Sequence, residues 1–152
     1  FLVVGGGREL ESVRALAAEL GTDARFEFTD SVDAAEAARL LGRAAIGVIA
    51  RPRALANDIV TTLKIFDYWA SGTAVVAPAL PGISEIAASG RDVLFFRPGD
   101  ALDMADKMLA LMYNNELRGR LADAGRARAA EFDFEKACGR IADMVVRTKT
   151  EG

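Results

Sequence analysis

Five short apolar runs, at about 1–4, 25–29, 45–50, 74–77 and 92–96, alternate with stretches whose apolar residues recur every three or four positions. Runs of four to six residues have strand length, and a period near 3.6 is that of one helix face. Strands that alternate with helices pair in parallel, because a parallel neighbour is reached only through a long crossover. The pattern predicts an α/β fold, a doubly wound parallel sheet with helices on both faces. Ligands of such sheets sit outside the carboxyl ends of the strands, which directs attention to the loops after Val4, Phe28, Ile49, Ala77 and Phe96.

The segments between the runs carry their own punctuation. Leu10, Val13, Leu16, Ala17 and Leu20 make a helical stripe that Gly21 ends, and 34–41 is a second helix. A loop over 51–59, with Pro52 and Asn57, leads to a helix from about 60 to 71 that closes on Gly72. Pro78 and Pro81-Gly82 mark turns before a short helix around 84–88, and Pro98-Gly99 ends the last strand. Three helices follow, over 102–113, 117–131 and 134–146. With 152 residues and 51% hydrophobic residues, the chain is one domain, 1–152, able to bury a core.

Composition removes several kinds of chemistry. With no histidine there is no catalytic triad and no histidine-ligated metal; we expect neither metal nor cofactor. A net charge of -3 argues against nucleic-acid partners. One cysteine, Cys138, forms no internal disulfide, and no apolar run reaches the roughly 18–20 residues that span a bilayer, so a reducing, cytoplasmic setting is expected. Cys138 lies among Ala137, Ile141 and Ala142 and reads as a core residue.

Two loops could hold an anion. Gly5-Gly6-Gly7 follows a strand and precedes a helix, but position 10 is Leu, so the dinucleotide fingerprint is absent and a tight turn competes with phosphate binding. The richer stretch is Thr61-Thr62-Leu63-Lys64, with Asp67 three residues beyond the lysine. Thr61 and Thr62 are N-cap residue types whose amides would face the crevice, Lys64 would reach the same anion, and Asp67 could accept two ribose hydroxyls. The same spacing also describes a surface Lys64–Asp67 ion pair. Trp69 and Tyr68 read as packing residues. Glu85 is a helix-capping or ligand residue, and Arg118, Arg120, Arg126 and Arg128, interleaved with acids, read as a solvated face.

These residues stand in a recognisable order. Residues 67–77, Asp-Tyr-Trp-Ala-Ser-Gly-Thr-Ala-Val-Val-Ala, followed by Pro81-Gly82-Ile83-Ser84-Glu85-Ile86, resemble the "EAMASGKPVVA…GGIPEI" block of retaining GT-B glycosyltransferases of the group 1 type. Val3-Val4-Gly5-Gly6-Gly7 resembles that family's "IVGGGP", 28–32 its "FTGxV", Arg97-Pro98-Gly99-Asp100 its "VPPGD", and 131–136 its "EFSWEK". The resemblance implies a Rossmann-like α/β/α domain that binds a nucleotide-sugar donor, the carboxyl-terminal half of an enzyme transferring a sugar to an acceptor. Cell-envelope or polysaccharide synthesis and peripheral membrane association are compatible with it.

The resemblance also implies residue roles. Of the family's Glu-x7-Glu pair, the ribose-binding second carboxylate falls on Asp67 and the sugar-contacting first on Ile59, beside Asp58. A "KLFEYMA" subgroup, similar to 64–70, likewise lacks the first. Thr61, Thr62, Leu63 and Lys64 would meet the diphosphate, and the base would pack near Val32 through backbone groups. No catalytic residue is assigned. A strand, a "GR" turn and a Lys-Gly helix that the family places before the strand at 1–4 would supply further cations and a central strand of the sheet. We therefore expect that strand to come from upstream residues or a neighbouring molecule, or the flanking strands to pair directly. The competing class is a non-catalytic α/β module binding a mononucleotide or a protein partner.

Overall fold

The computed structural model describes residues 1–132. The helix expected at 134–146 and Cys138 lie outside them. The five strands form where the apolar runs fall and every pairing is parallel, but they make two sheets rather than one. Two compact units result, Phe1–Leu40 and the chain from Leu41 onward.

In the first unit, β1 (Leu2–Val3) pairs with β2 (Glu27–Phe28), Leu2 opposite Glu27 and Val3 opposite Phe28. Between them runs α1 (Leu10–Glu19), ended by Gly21 at φ +63°, whose amide and that of Thr22 bond back to Ala18 and Ala17. This paired return is a Schellman close, and its left-handed residue is why glycine stands there. Phe1, Phe26 and Phe28 stack at centroid distances of 5.0 and 5.6 Å, with the Arg14 guanidinium 4.8 Å from the Phe28 ring. The stripe on α1 is less buried than its periodicity implies: only Ala17 is buried, while Val13, Leu16 and Leu20 are exposed. A sheet of two strands with two residues each offers little surface to cover a helix. Helix α2 (Ala34–Leu41) closes the unit and buries Leu40.

The second unit holds β3 (Ile46–Val48), β4 (Ala74–Pro78) and β5 (Leu94–Phe96), with β4 in the centre. All five β4 residues are buried, as expected of a parallel strand covered on both faces. Side chains alternate by face: Val75 and Ala77 join Ile49, Ile65, Trp69, Ile83 and Val93 on one side, and Ala74 and Val76 join Phe96, Leu111 and Leu121 on the other. Direct pairing of the strands at 1–4 and 45–50 is not found, since β3 pairs with β4 and β1 with β2.

Helix boundaries carry the corrections. The loop at 51–59 contains a helix, α3 (Leu55–Ile59), and the helix expected from 60 begins later as α4 (Lys64–Ala70). The short helix near 84–88 is α5 (Pro81–Ser84), with Pro81 where a missing amide hydrogen costs least. Helices α6 (Ala101–Tyr113) and α7 (Asn115–Glu131) lie close to expectation because Asp100 and Asn114 cap them, accepting from the amides of Asp103 and Leu117, both at 2.9 Å. Asp100→Ala should destabilise the protein by about 1 kcal/mol, within the range of about 0.5–2 for lost N-caps. Urea denaturation monitored by circular dichroism measures it.

The arginines of α7 are not simply solvated. Arg118 donates to the Leu111 carbonyl at 2.8 Å, and Arg128 to that of Ile86 at 3.0 Å while pairing with Glu131. Arg126 lies where a side chain at Gly72 would stand.

Candidate functional site

In the second unit the carboxyl ends of β3 and β4 deliver the chain to α3 and α5. Helix α4 then runs back towards the amino end of β4, so its first turn belongs to the same crevice-side edge. Ile65 and Trp69, four apart and fully buried, pin its inner face, while Lys64 and Asp67 turn to solvent. Gly72 at φ +72° ends the helix, its amide and that of Thr73 bonding back to Trp69 and Tyr68.

The structure thus brings Thr61, Thr62, Leu63, Lys64 and Asp67 together on one loop and first helical turn. Neither Lys64 nor Asp67 forms an ion pair or side-chain hydrogen bond with a described residue, so the i,i+3 surface pair is not made. The exposed Asp67 carboxylate has no hydrogen-bond or ion-pair partner among the described residues. Burial first, and the Asp67 carboxylate second, push the neighbouring Tyr68 phenol above its ordinary value.

The threonines do not cap α4. The N-cap is Leu63, with no side-chain bond, and the Thr61 hydroxyl donates instead to the Gly82 carbonyl at 2.6 Å. The amides of Ile65, Phe66 and Asp67 are already committed to the carbonyls of Thr62 and Leu63. An anion here would therefore meet Lys64 and the loop before it rather than a full turn of open amides. Thr62 is half-buried, and Leu63 and Lys64 are exposed. At the position of the absent first carboxylate, Ile59 is exposed and Asp58 pairs with Arg53 at 3.4 Å.

Val32 belongs to the first unit, half-buried in the loop after β2. There the Gly5 amide donates to the Thr29 hydroxyl at 3.2 Å, and a Cβ at Gly6 would stand 2.9 Å from the Ser31 oxygen. The glycine turn and this loop are in close contact, which accounts for Gly6 without a ligand.

Packing explains both aromatics of α4. Trp69 is fully buried and its indole nitrogen donates to the Asp92 carbonyl at 2.9 Å, while the half-buried Tyr68 hydroxyl stands 3.4 Å from the Val48 carbonyl. Glu85 is exposed at the end of α5 rather than capping its start. Gly82 is the residue that sequence reasoning passed over, treating Pro81-Gly82 as a turn only. Its one signal was a place in the 81–86 block. Among the described residues no cluster of three His, Cys, Asp or Glu could hold a metal ion, and no helix is long and apolar enough to cross a membrane.

Comparison with known proteins places this geometry in a family. The family model described as "Glycosyl transferases group 1" matches residues 1–114. A D-inositol 3-phosphate glycosyltransferase of a Nocardioides species is 30% identical over 147 residues, covering 93% of this chain and 31% of that protein. Among solved structures, Alr3699/HepE of Anabaena in complex with UDP superposes with a TM-score of 0.80 at 19% identity, over 96% of this chain and 40% of that one. The C-terminal domain of a group 1 family glycosyl transferase (LpcC) from Francisella tularensis gives 0.69 at 22% identity, over 82% and 63%. The chain spans about a third of the curated relative's length. At those identities the solved structures share the fold: parallel α/β units flanked by helices, as in GT-B glycosyltransferases. With the family model matching residues 1–114 of 152, this chain belongs to the group 1 glycosyl transferases.

Proposed function

We propose that this domain binds the nucleotide-sugar donor of a retaining sugar transferase, with Asp67 holding the ribose. The exposed carboxylate of Asp67 on the crevice-side turn of α4, without a partner among the described residues, carries the reading. A carboxylate accepts two vicinal hydroxyls, while Lys64, one turn earlier, offers a cation to a diphosphate. Thr62 and Leu63 line the same loop. The Anabaena neighbour was solved with UDP, which supports a nucleoside diphosphate as the ligand class.

In transfer the bond from the anomeric carbon to the diphosphate oxygen breaks, a bond to an acceptor hydroxyl oxygen forms on the same face, and the hydroxyl proton passes to the departing diphosphate oxygen. The charge left on the diphosphate is where Lys64 and the loop amides would act, by positioning and electrostatic stabilisation. The acceptor, a cell-envelope or polysaccharide role, a cytoplasmic location and peripheral membrane association belong to the same proposal.

Ligand-observed NMR of the intact protein with UDP, GDP, ADP and their nucleosides tests it. Binding of one diphosphate, and not its nucleoside, is expected. If none of the diphosphates binds, the donor reading falls and the non-catalytic module takes its place.

A further inference from the structure

We infer that Thr61 is a positioning residue, which locks the loop before α4 to the start of α5 and so sets the height of the Thr62–Asp67 turn over the sheet. The inference rests on the donor-binding reading above but assigns Thr61 a different job from the diphosphate contact expected of it. A threonine hydroxyl carries one hydrogen. Here that hydrogen goes to the Gly82 carbonyl at 2.6 Å. Phosphate oxygens only accept hydrogen bonds, so while this bond holds the Thr61 hydroxyl has nothing to donate to them.

The backbone on both sides is built for the contact. A Cβ at Gly82 would stand 3.0 Å from the Val60 carbonyl carbon and 3.2 Å from the Thr61 nitrogen, so any side chain here would require the facing backbone to give way. Gly82 is buried, and Leu80 and Ile83 on either side of it are fully buried, which anchors the accepting loop in the core. On the donating side, the fully buried Ile65 fixes the far end of the segment. Thr61 thus ties a segment that has exposed side chains at Leu63, Lys64 and Asp67 to a rigid one. Thr62, whose side chain has no bond to a described residue, is the threonine left to face a ligand.

Three variants of the intact protein test this: Thr61→Val, which keeps shape and removes the donor; Thr61→Ser, which keeps the donor; and Gly82→Ala, which keeps the hydroxyl and forces the loops apart. Hydrogen exchange and calorimetric titration with UDP, GDP and ADP are the readouts. In Thr61→Val and Gly82→Ala, amides of 60–63 and of 82–84 should exchange faster together. Affinity for the bound diphosphate should fall about 5- to 10-fold, the equivalent of one neutral hydrogen bond. Thr61→Ser should restore both. A loss of affinity in Thr61→Val with unchanged exchange at 82–84 would make Thr61 a direct ligand contact and overturn the proposal, as would a valine variant that changes neither readout. If the wild type binds no diphosphate, the donor reading fails separately, and the exchange data still decide whether the two loops are locked.

Discussion

Asp67→Ala should weaken nucleoside-diphosphate binding by about 10- to 150-fold while leaving the protein folded. Hydrogen bonds to a charged acceptor contribute about 1.5–3 kcal/mol, and each 1.4 kcal/mol is tenfold in affinity. Stability should change by no more than about 0.5 kcal/mol, because the carboxylate is exposed and its removal strands no partner among the described residues. Asp67→Asn, with one acceptor oxygen and no charge, should fall between the two. Calorimetric titration of the intact protein, with a thermal melt as the folding control, makes the measurement. A folded Asp67→Ala variant of unchanged affinity would reduce Asp67 to an ordinary surface acid.

Trp69→Ala should have the opposite profile, a stability loss of about 3–5 kcal/mol for the lost volume alone. Trp69 is fully buried, meets Phe66 edge-on at 5.8 Å, and lies against Gly125 of α7, where any side chain would collide with the indole ring. Its N–H is also the donor to the Asp92 carbonyl, and an unpaired buried acceptor adds about 1–3 kcal/mol. Against a total of about 5–15 kcal/mol for a domain, this substitution brings the fold to the edge of unfolding. Trp69→Phe keeps most of the ring volume and should cost mainly the hydrogen bond. Urea unfolding followed by circular dichroism compares them; a loss below about 1 kcal/mol in the alanine variant would show that α4 and α7 do not depend on this contact.

The two substitutions sit two residues apart on one short helix. Trp69 reads as packing and Asp67 as a ligand-facing acid from the sequence; that Ile65, four residues before Trp69, shares the buried face is what the structure adds. The alternation that placed five strands was legible too, because short continuous apolar runs mark strands buried on both faces and a period near 3.6 marks the helices between them. The caps at Asp100 and Asn114 and the glycine closes at Gly21 and Gly72 are likewise local, resolved within four or five residues of chain.

What spacing could not decide was which partner each polar group takes across the fold. Thr61 and Thr62 look alike in sequence, two N-cap types before a helix, yet one bonds to a carbonyl 21 residues away. Helix α4 starts at Lys64 rather than at 60, and Arg118 and Arg128, read as solvated, reach the backbone of Leu111 and Ile86. The division of the strands into two sheets was equally out of reach, because pairing depends on which edges come together. By itself the sequence determined the order and kind of the elements, the family, and the outward place of Asp67, since these rest on local periodicity and ordered motifs. Only the tertiary structure decided the donor–acceptor pairs, because a hydrogen bond between distant segments is settled by packing, which brings Gly82 against Val60 and Thr61 and leaves Asp67 unpaired among the described residues.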